Sequence, residues 1–205
     1  MTGSTSSTSG RPATPWRDPA RRGLLILALL LAAWPAGAAD DLDTLMAVLA
    51  SATHGRVSYV ETQYLKILDR PLQSSGELLY EKPDRLEKRT LKPRAASLLA
   101  QGDALTLESG GRRHTAQLSE VPQAAPFIEG IRATLGGDRA ALERHFEVSM
   151  SGTVDGWHLL LRPREASGAA VRDIEIQGAQ GQLARIDIHQ RDGDHSEMLI
   201  GPPAP

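Results

Sequence analysis

Cysteine is absent from the 205 residues. That excludes a disulfide framework, and it excludes a lipid-anchored cysteine. Aromatic residues are scarce at 4%, with three Trp, three Tyr and two Phe. Long apolar runs are missing too. The one stretch of note, Gly23–Trp34, falls short of the roughly 20 residues that span a bilayer. Catalytic signatures are also lacking: there is no H-E-x-x-H, no G-x-S-x-G elbow and no S-x-x-K. The six histidines, His54, His114, His145, His158, His189 and His195, are scattered without metal-ligand spacing. Gly110-Gly111-Arg112-Arg113 reads as a hairpin with no helix behind it, so it is not a phosphate cradle. These absences leave no catalytic constellation, and the chain is expected to be a non-enzyme without metal or cofactor.

What is present begins with a targeting pattern. Arg17, Arg21 and Arg22 precede the apolar run, Pro35 breaks it, and Ala36-Gly37-Ala38 supplies small residues for cleavage. Residues 1–39 therefore read as a secretory signal peptide, with the bacterial periplasm as destination. Removing Arg11, Arg17, Arg21, Arg22 and Asp18 leaves 19 basic against 24 acidic residues, a net charge of −5. Such a balance argues against nucleic acid or an anionic membrane as partner. Residues 40–200 suffice for one domain with a real core. Residues 201–205 read as a frayed tail, and the protein is expected to be a monomer.

Hydrophobic periodicity divides this domain. Leu42, Leu45, Met46 and Leu49 recur at helical spacing over Asp40–Thr53. The period then changes to two. Arg56–Leu68 reads as a long strand with Val57, Tyr59, Leu65 and Ile67 on one face, and with Glu61 on that same face. Strands follow at 75–80, 85–91, 95–101, 104–109 and 112–118. The period breaks once, where Phe127, Ile128, Ile131 and Leu135 are helically spaced and Asp138 caps a further short helix, Arg139–His145. Five more strands finish the chain at 146–151, 157–162, 171–177, 182–190 and 196–200. Short connections imply an antiparallel meander with one apolar face. The fold class is mainly β (α+β): about eleven strands whose apolar face three helices cover. Leu105, Leu107, Trp157, Leu159, Ile186 and Ile188 are the further expected contributions of the sheet to that face. Whether the covered face encloses a cavity or a filled core is open on periodicity alone.

An ordered series of short motifs narrows this. Thr62-Gln63 lies on the first strand. Gly76-Glu77-Leu78 follows, with Pro83 completing G-x-L-x-x-x-x-P, and then come Pro93 and Gly102-Asp103-Ala104-Leu105. In order and spacing this series resembles the periplasmic lipoprotein carrier family, LolA, in a divergent branch. The resemblance implies an open antiparallel half-barrel with a three-helix lid and a greasy cavity for acyl chains. It also implies an inner-membrane exporter and an outer-membrane acceptor as partners. The carried object would be lipoprotein acyl chains or another lipid, since each buried CH₂ is worth roughly 0.8 kcal/mol. Expected cavity and lid residues are then Leu42, Leu45, Met46, Leu49, Val57, Tyr59, Leu65, Ile67, Leu105, Leu107, Phe127, Ile131, Leu135, Trp157 and Leu159.

The chain also departs from the family. Glu61 stands where the family has phenylalanine, and Leu86-Glu87-Lys88 stands where it has an aromatic-Arg-Trp triplet. Strand parity puts Glu61, Glu87 and Arg89 together on the concave face as a polar latch, with Lys88 opposite. A lipid-sensing interaction module and a carrier for a specialised lipid are the alternative readings.

Overall fold

The computed structural model describes residues 37–122, 124–164 and 170–203. Of the expected signal peptide, residues 1–36 lie outside these. Helix α1 (Gly37–Ser51) leads into β1 (Arg56–Tyr64), β2 (Leu72–Glu81), β3 (Arg85–Lys92), β4 (Ala96–Gln101), β5 (Ala104–Ser109) and β6 (Arg112–Gln117). A 3-10 turn at Leu118–Glu120, helix α2 (Ala125–Gly136) and helix α3 (Arg139–His145) follow. The chain closes with β7 (Phe146–Thr153), β8 (Gly156–Pro163), β9 (Val171–Ala179), β10 (Gln182–Gln190) and β11 (His195–Pro203).

The strands form one eleven-stranded antiparallel sheet in the order β6-β5-β4-β3-β2-β1-β11-β10-β9-β8-β7. It is two meanders joined at a seam, where β1 pairs with β11 through Tyr59 opposite Ile200 and Glu61 opposite Met198. No short connection links these two strands, so local sequence gives no sign of the seam. The sheet does not close on itself: β6 and β7 are its free edges. It is an open half-barrel with three helices as its lid. Several expected bounds shift, and two of the shifts matter here. Strand β11 runs on through Gly201–Pro203, with Pro203 opposite Val57, so these residues are paired rather than frayed. Strand β1 stops at Tyr64, because the chain turns there: the Leu68 N–H donates to the Leu65 carbonyl at 2.9 Å.

Alternation along each strand sorts the side chains onto two faces. Tyr59, Leu159, Leu161, Ile174, Ile176 and Ile186 face the helices and are fully buried. Arg185–Asp187 at 2.6 Å and His158–Glu175 at 3.0 Å belong to the outer, wet face. Helix α1 sets Leu45 and Leu49 into this core without exposed surface, each worth roughly 1.5–3 kcal/mol on burial. Helix α2 ends on Gly137 at φ 65°, a left-handed cap. A Cβ there would lie 2.3 Å from the Met46 carbonyl of α1, so this glycine also permits the two helices to meet. Asp138 then caps α3, its Oδ1 accepting the Ala141 N–H at 2.9 Å.

Candidate functional site

The core does not fill the half-barrel. A cavity of about 320 Å³ lies between α2 and the concave face, at the small end of the range typical of ligand sites. Phe127, Ile128, Ile131 and Leu135 of α2 form one wall. Val57, Leu78, Leu86, Leu98, Ile186 and Ile200 form the opposite wall. Period two on the strands and helical spacing on α2 aim both sets at the same space.

Polar residues also line this cavity, among them His54, Tyr80 and Lys88. The His54 ring meets Tyr80 edge-on with centroids 5.5 Å apart, and its Nε2 lies 3.1 Å from the Leu49 carbonyl. Burial lowers the His54 pKa below its ordinary value, and the Lys82 charge adds to this. Burial likewise raises the Tyr80 pKa, and the Tyr80 hydroxyl donates to the Pro83 carbonyl at 2.9 Å. The Lys88 ammonium lies 2.6 Å from Glu61 Oε2, which also accepts from Ser74 Oγ at 3.2 Å. The same ammonium sits 5.1 Å from the centre of the Tyr59 ring. Tyr59 in turn shares a 2.8 Å hydrogen bond with Thr90.

This geometry corrects the expected latch. Glu61 is on the concave face, but Glu87 and Arg89 are on the convex one. Lys88, expected opposite, is the true partner of Glu61. The register explains it. Odd positions of β1 pair with even positions of β2, as Tyr59 does with Gly76. Even positions of β2 then pair with even positions of β3, as Leu78 does with Lys88. Cross-strand partners share a face, so one inverted step moves the whole set. On the convex side Glu87 binds Arg89 at 2.8 Å and Arg85 at 3.1 Å. Burial pushes the Glu87 pKa up, but the two guanidiniums outweigh it and hold it below the ordinary value.

Of the other expected residues, Val57, Phe127, Ile131 and Leu135 line the cavity. Leu42, Leu45, Met46, Leu49, Tyr59, Leu105, Trp157 and Leu159 are buried in the surrounding core rather than on the cavity wall. Three are neither on the cavity wall nor in the core. Leu65 falls beyond the end of β1, Ile67 is 89% exposed in the turn after it, and Leu107, on the concave face as expected, is 43% exposed beside the free β6 edge. Leu78, Leu98 and Lys88 were missed. The alternation of Leu78 with Tyr80 and of Leu98 with Ala100 was the available signal for the first two. His54 had none, since it lies between elements.

The histidines are less scattered than their spacing suggests. Asp173, Glu175 and His189 bring ligating atoms within 4.8 Å of one another on the convex face. Their groups are already engaged: His189 and Arg172 hold Asp173, and His158 holds Glu175.

Comparison with known proteins shows the family. The family model described as outer membrane lipoprotein carrier protein LolA-like matches residues 33–204. The chain belongs to this family. An outer-membrane lipoprotein carrier protein of Methylibium petroleiphilum is 28% identical over 190 residues, covering 85% of this chain and 89% of that one. Its counterpart from Ralstonia nicotianae is 27% identical over 177 residues, covering 80% and 77%. Among solved structures, a LolA superfamily protein from Nitrosomonas europaea aligns over 82% of this chain and 94% of that one, with TM-score 0.43 and 10% identity. The LolA-like family is a non-enzymatic binding and transport fold.

Proposed function

We propose that this protein is a periplasmic carrier that takes acyl chains of a lipoprotein, or of another lipid, into the cavity beneath α2. It would shuttle them from an inner-membrane exporter to an outer-membrane acceptor. The observation that carries the reading is the apolar cavity between Phe127, Ile128, Ile131 and Leu135 on the lid and Val57, Leu78, Leu98 and Ile200 on the sheet. Acyl chains leave water favourably, at roughly 0.8 kcal/mol per CH₂. A lid that packs on the sheet through side chains alone can lift and reseal around them. The carried chain would displace solvent, not the helices of the core, so binding stays reversible.

Incubating the purified mature chain with a fluorescent fatty acid tests the first half of this reading. Saturable emission that unlabelled fatty acid displaces is expected. The second half needs vesicles: the loaded protein should deliver the probe to acceptor vesicles faster than the probe transfers alone. Absence of displaceable uptake would overturn the reading.

A further inference from the structure

A second surface lies at the other end of the same strands. The connections β1–β2 and β3–β4 leave the sheet side by side, since Leu72 pairs with Gln63 and Lys92 with Ser75. Large apolar side chains are exposed there: Ile67 at 89%, Leu91 at 54%, Leu72 at 49% and Leu68 at 43%. They make up half of the eight large hydrophobic side chains exposed among the described residues, gathered on the β1–β2 connection and on the ends of β2 and β3 beside it. Arg70, Lys92 and Arg94 stand exposed among them. None of these three cations is in an ion pair among the described residues. Lys66 is a fourth cation on these loops, and Asp69 is their only carboxylate.

We infer that this rim docks the protein on an anionic lipid surface. Water-exposed apolar tips ringed by unpaired cations match the two layers of a membrane interface: acyl boundary below, anionic headgroups above. The chain's net negative charge argues against such contact as a whole, but electrostatic attraction decays within about 10 Å at ordinary ionic strength, so the local rim decides. A protein partner would meet the same patch differently, because it would bring carboxylates at fixed positions rather than a fluid negative layer. The occupant inferred is the lipid surface. This inference does not rest on the cavity reading, and the two are separable by mutation. The cavity is lined from the opposite end of these strands, by residues such as Val57, Tyr80 and Leu86.

Flotation of the purified chain with two sets of vesicles tests it. One set is phosphatidylcholine alone, and the other is phosphatidylcholine with phosphatidylglycerol. Binding to the anionic vesicles that weakens as salt rises is expected. Ile67→Asp should reduce that binding about tenfold or more, from the apolar contact it forfeits. The pair Lys92→Gln with Arg94→Gln should reduce it further than Ile67→Asp does on anionic vesicles, each neutralised cation being worth roughly fivefold. Because Ile67 is almost wholly exposed, Ile67→Asp should keep the wild-type melting temperature and fatty-acid uptake. Ile67→Trp provides an independent reading, as its emission should shift to the blue only with anionic vesicles. The inference is overturned if the wild type floats with neither vesicle set. It is equally overturned if Ile67→Asp binds as the wild type does, or if binding proves specific to a membrane protein reconstituted in neutral vesicles.

Discussion

Glu61 and Lys88 form an ion pair with 2.6 Å between Oε2 and Nζ, on the concave face of the sheet. The Glu61 side chain is only 5% exposed and that of Lys88 19%. A charge so deep depends on its partner, because the cost of desolvating it is not otherwise recovered. Ser74 and Tyr59 complete its surroundings but carry no formal charge. Lys88→Met should therefore cost about 3 kcal/mol, because it strands the Glu61 carboxylate. The double variant Glu61→Leu with Lys88→Met should recover most of that loss, since an apolar pair fills the same space. Urea denaturation of the two variants measures both numbers. A single variant as stable as the wild type would show that the pair is solvated.

Gly76 sits where β1, β2 and β3 come together, opposite Tyr59 on one side and Thr90 on the other. A Cβ at this position would lie 1.9 Å from the carbonyl oxygen of Arg89. That oxygen belongs to the backbone of a paired strand and cannot step aside as a side chain can. Gly76→Ala should destabilise the fold by about 3 kcal/mol, the upper range for forcing atoms into a filled space. Ser75→Ala, one residue earlier, should be nearly neutral. The glycine of the G-x-L-x-x-x-x-P motif thus answers a close backbone approach.

The elements were legible from period alone. Leu45 and Leu49 at helical spacing, and Ile174 and Ile176 at period two, all lie in the core. Asp138 was readable as a cap because a short polar side chain before a helix has one obvious partner. Pairing and parity were harder. The seam of β1 with β11 depends on how the two meanders meet in space. The fate of Lys88 depends on how many residues lie between paired positions of β1 and β2: eight separate Gln63 from its partner Leu72, and an even count inverts the face. Ile67 reads as interior because alternation continues past Tyr64. The turn that ends the strand is made by the Leu68 N–H to Leu65 carbonyl bond and by the Lys66 N–H, which donates to the Asp194 carboxylate Oδ1 at 2.8 Å. No local pattern announces a bond across 128 residues.

Acidity should act on this fold in two separate windows. Burial lowers the folded-state pKa of His54, so near neutrality the unfolded chain binds more protons than the folded one. Its contribution is complete above the unfolded value of 6.5 and is lost as pH falls from there through the folded pKa. Glu87 and Asp173 are lowered by their cationic partners in spite of burial. Their contribution is present above their unfolded values of 4.5 and 3.8, and is lost only as pH falls through their folded values. Melting temperatures measured from pH 8 to pH 3 should show both declines. His54→Gln should flatten the first and leave the second. A variant that keeps the decline just below neutrality would assign that window to another group.

The cavity wall ends between two adjacent leucines. Leu98 is opposite Lys88 on one side and Leu107 on the other, so all three share the concave face. Leu98 lines the cavity, whereas Leu107 is 43% exposed. Leu98→Gln would leave an amide facing an apolar space, at a cost of about 1–3 kcal/mol when unpaired. Acyl-chain affinity should then fall roughly tenfold, which corresponds to 1.4 kcal/mol. Leu107→Gln makes the same chemical change one strand away, where water already reaches the side chain, and should leave affinity unchanged. Titration with a fluorescent fatty acid reads both, and denaturation midpoints show whether each variant still folds. Equal losses in the two variants would mean that the acyl chain lies along the open edge of the sheet rather than beneath α2.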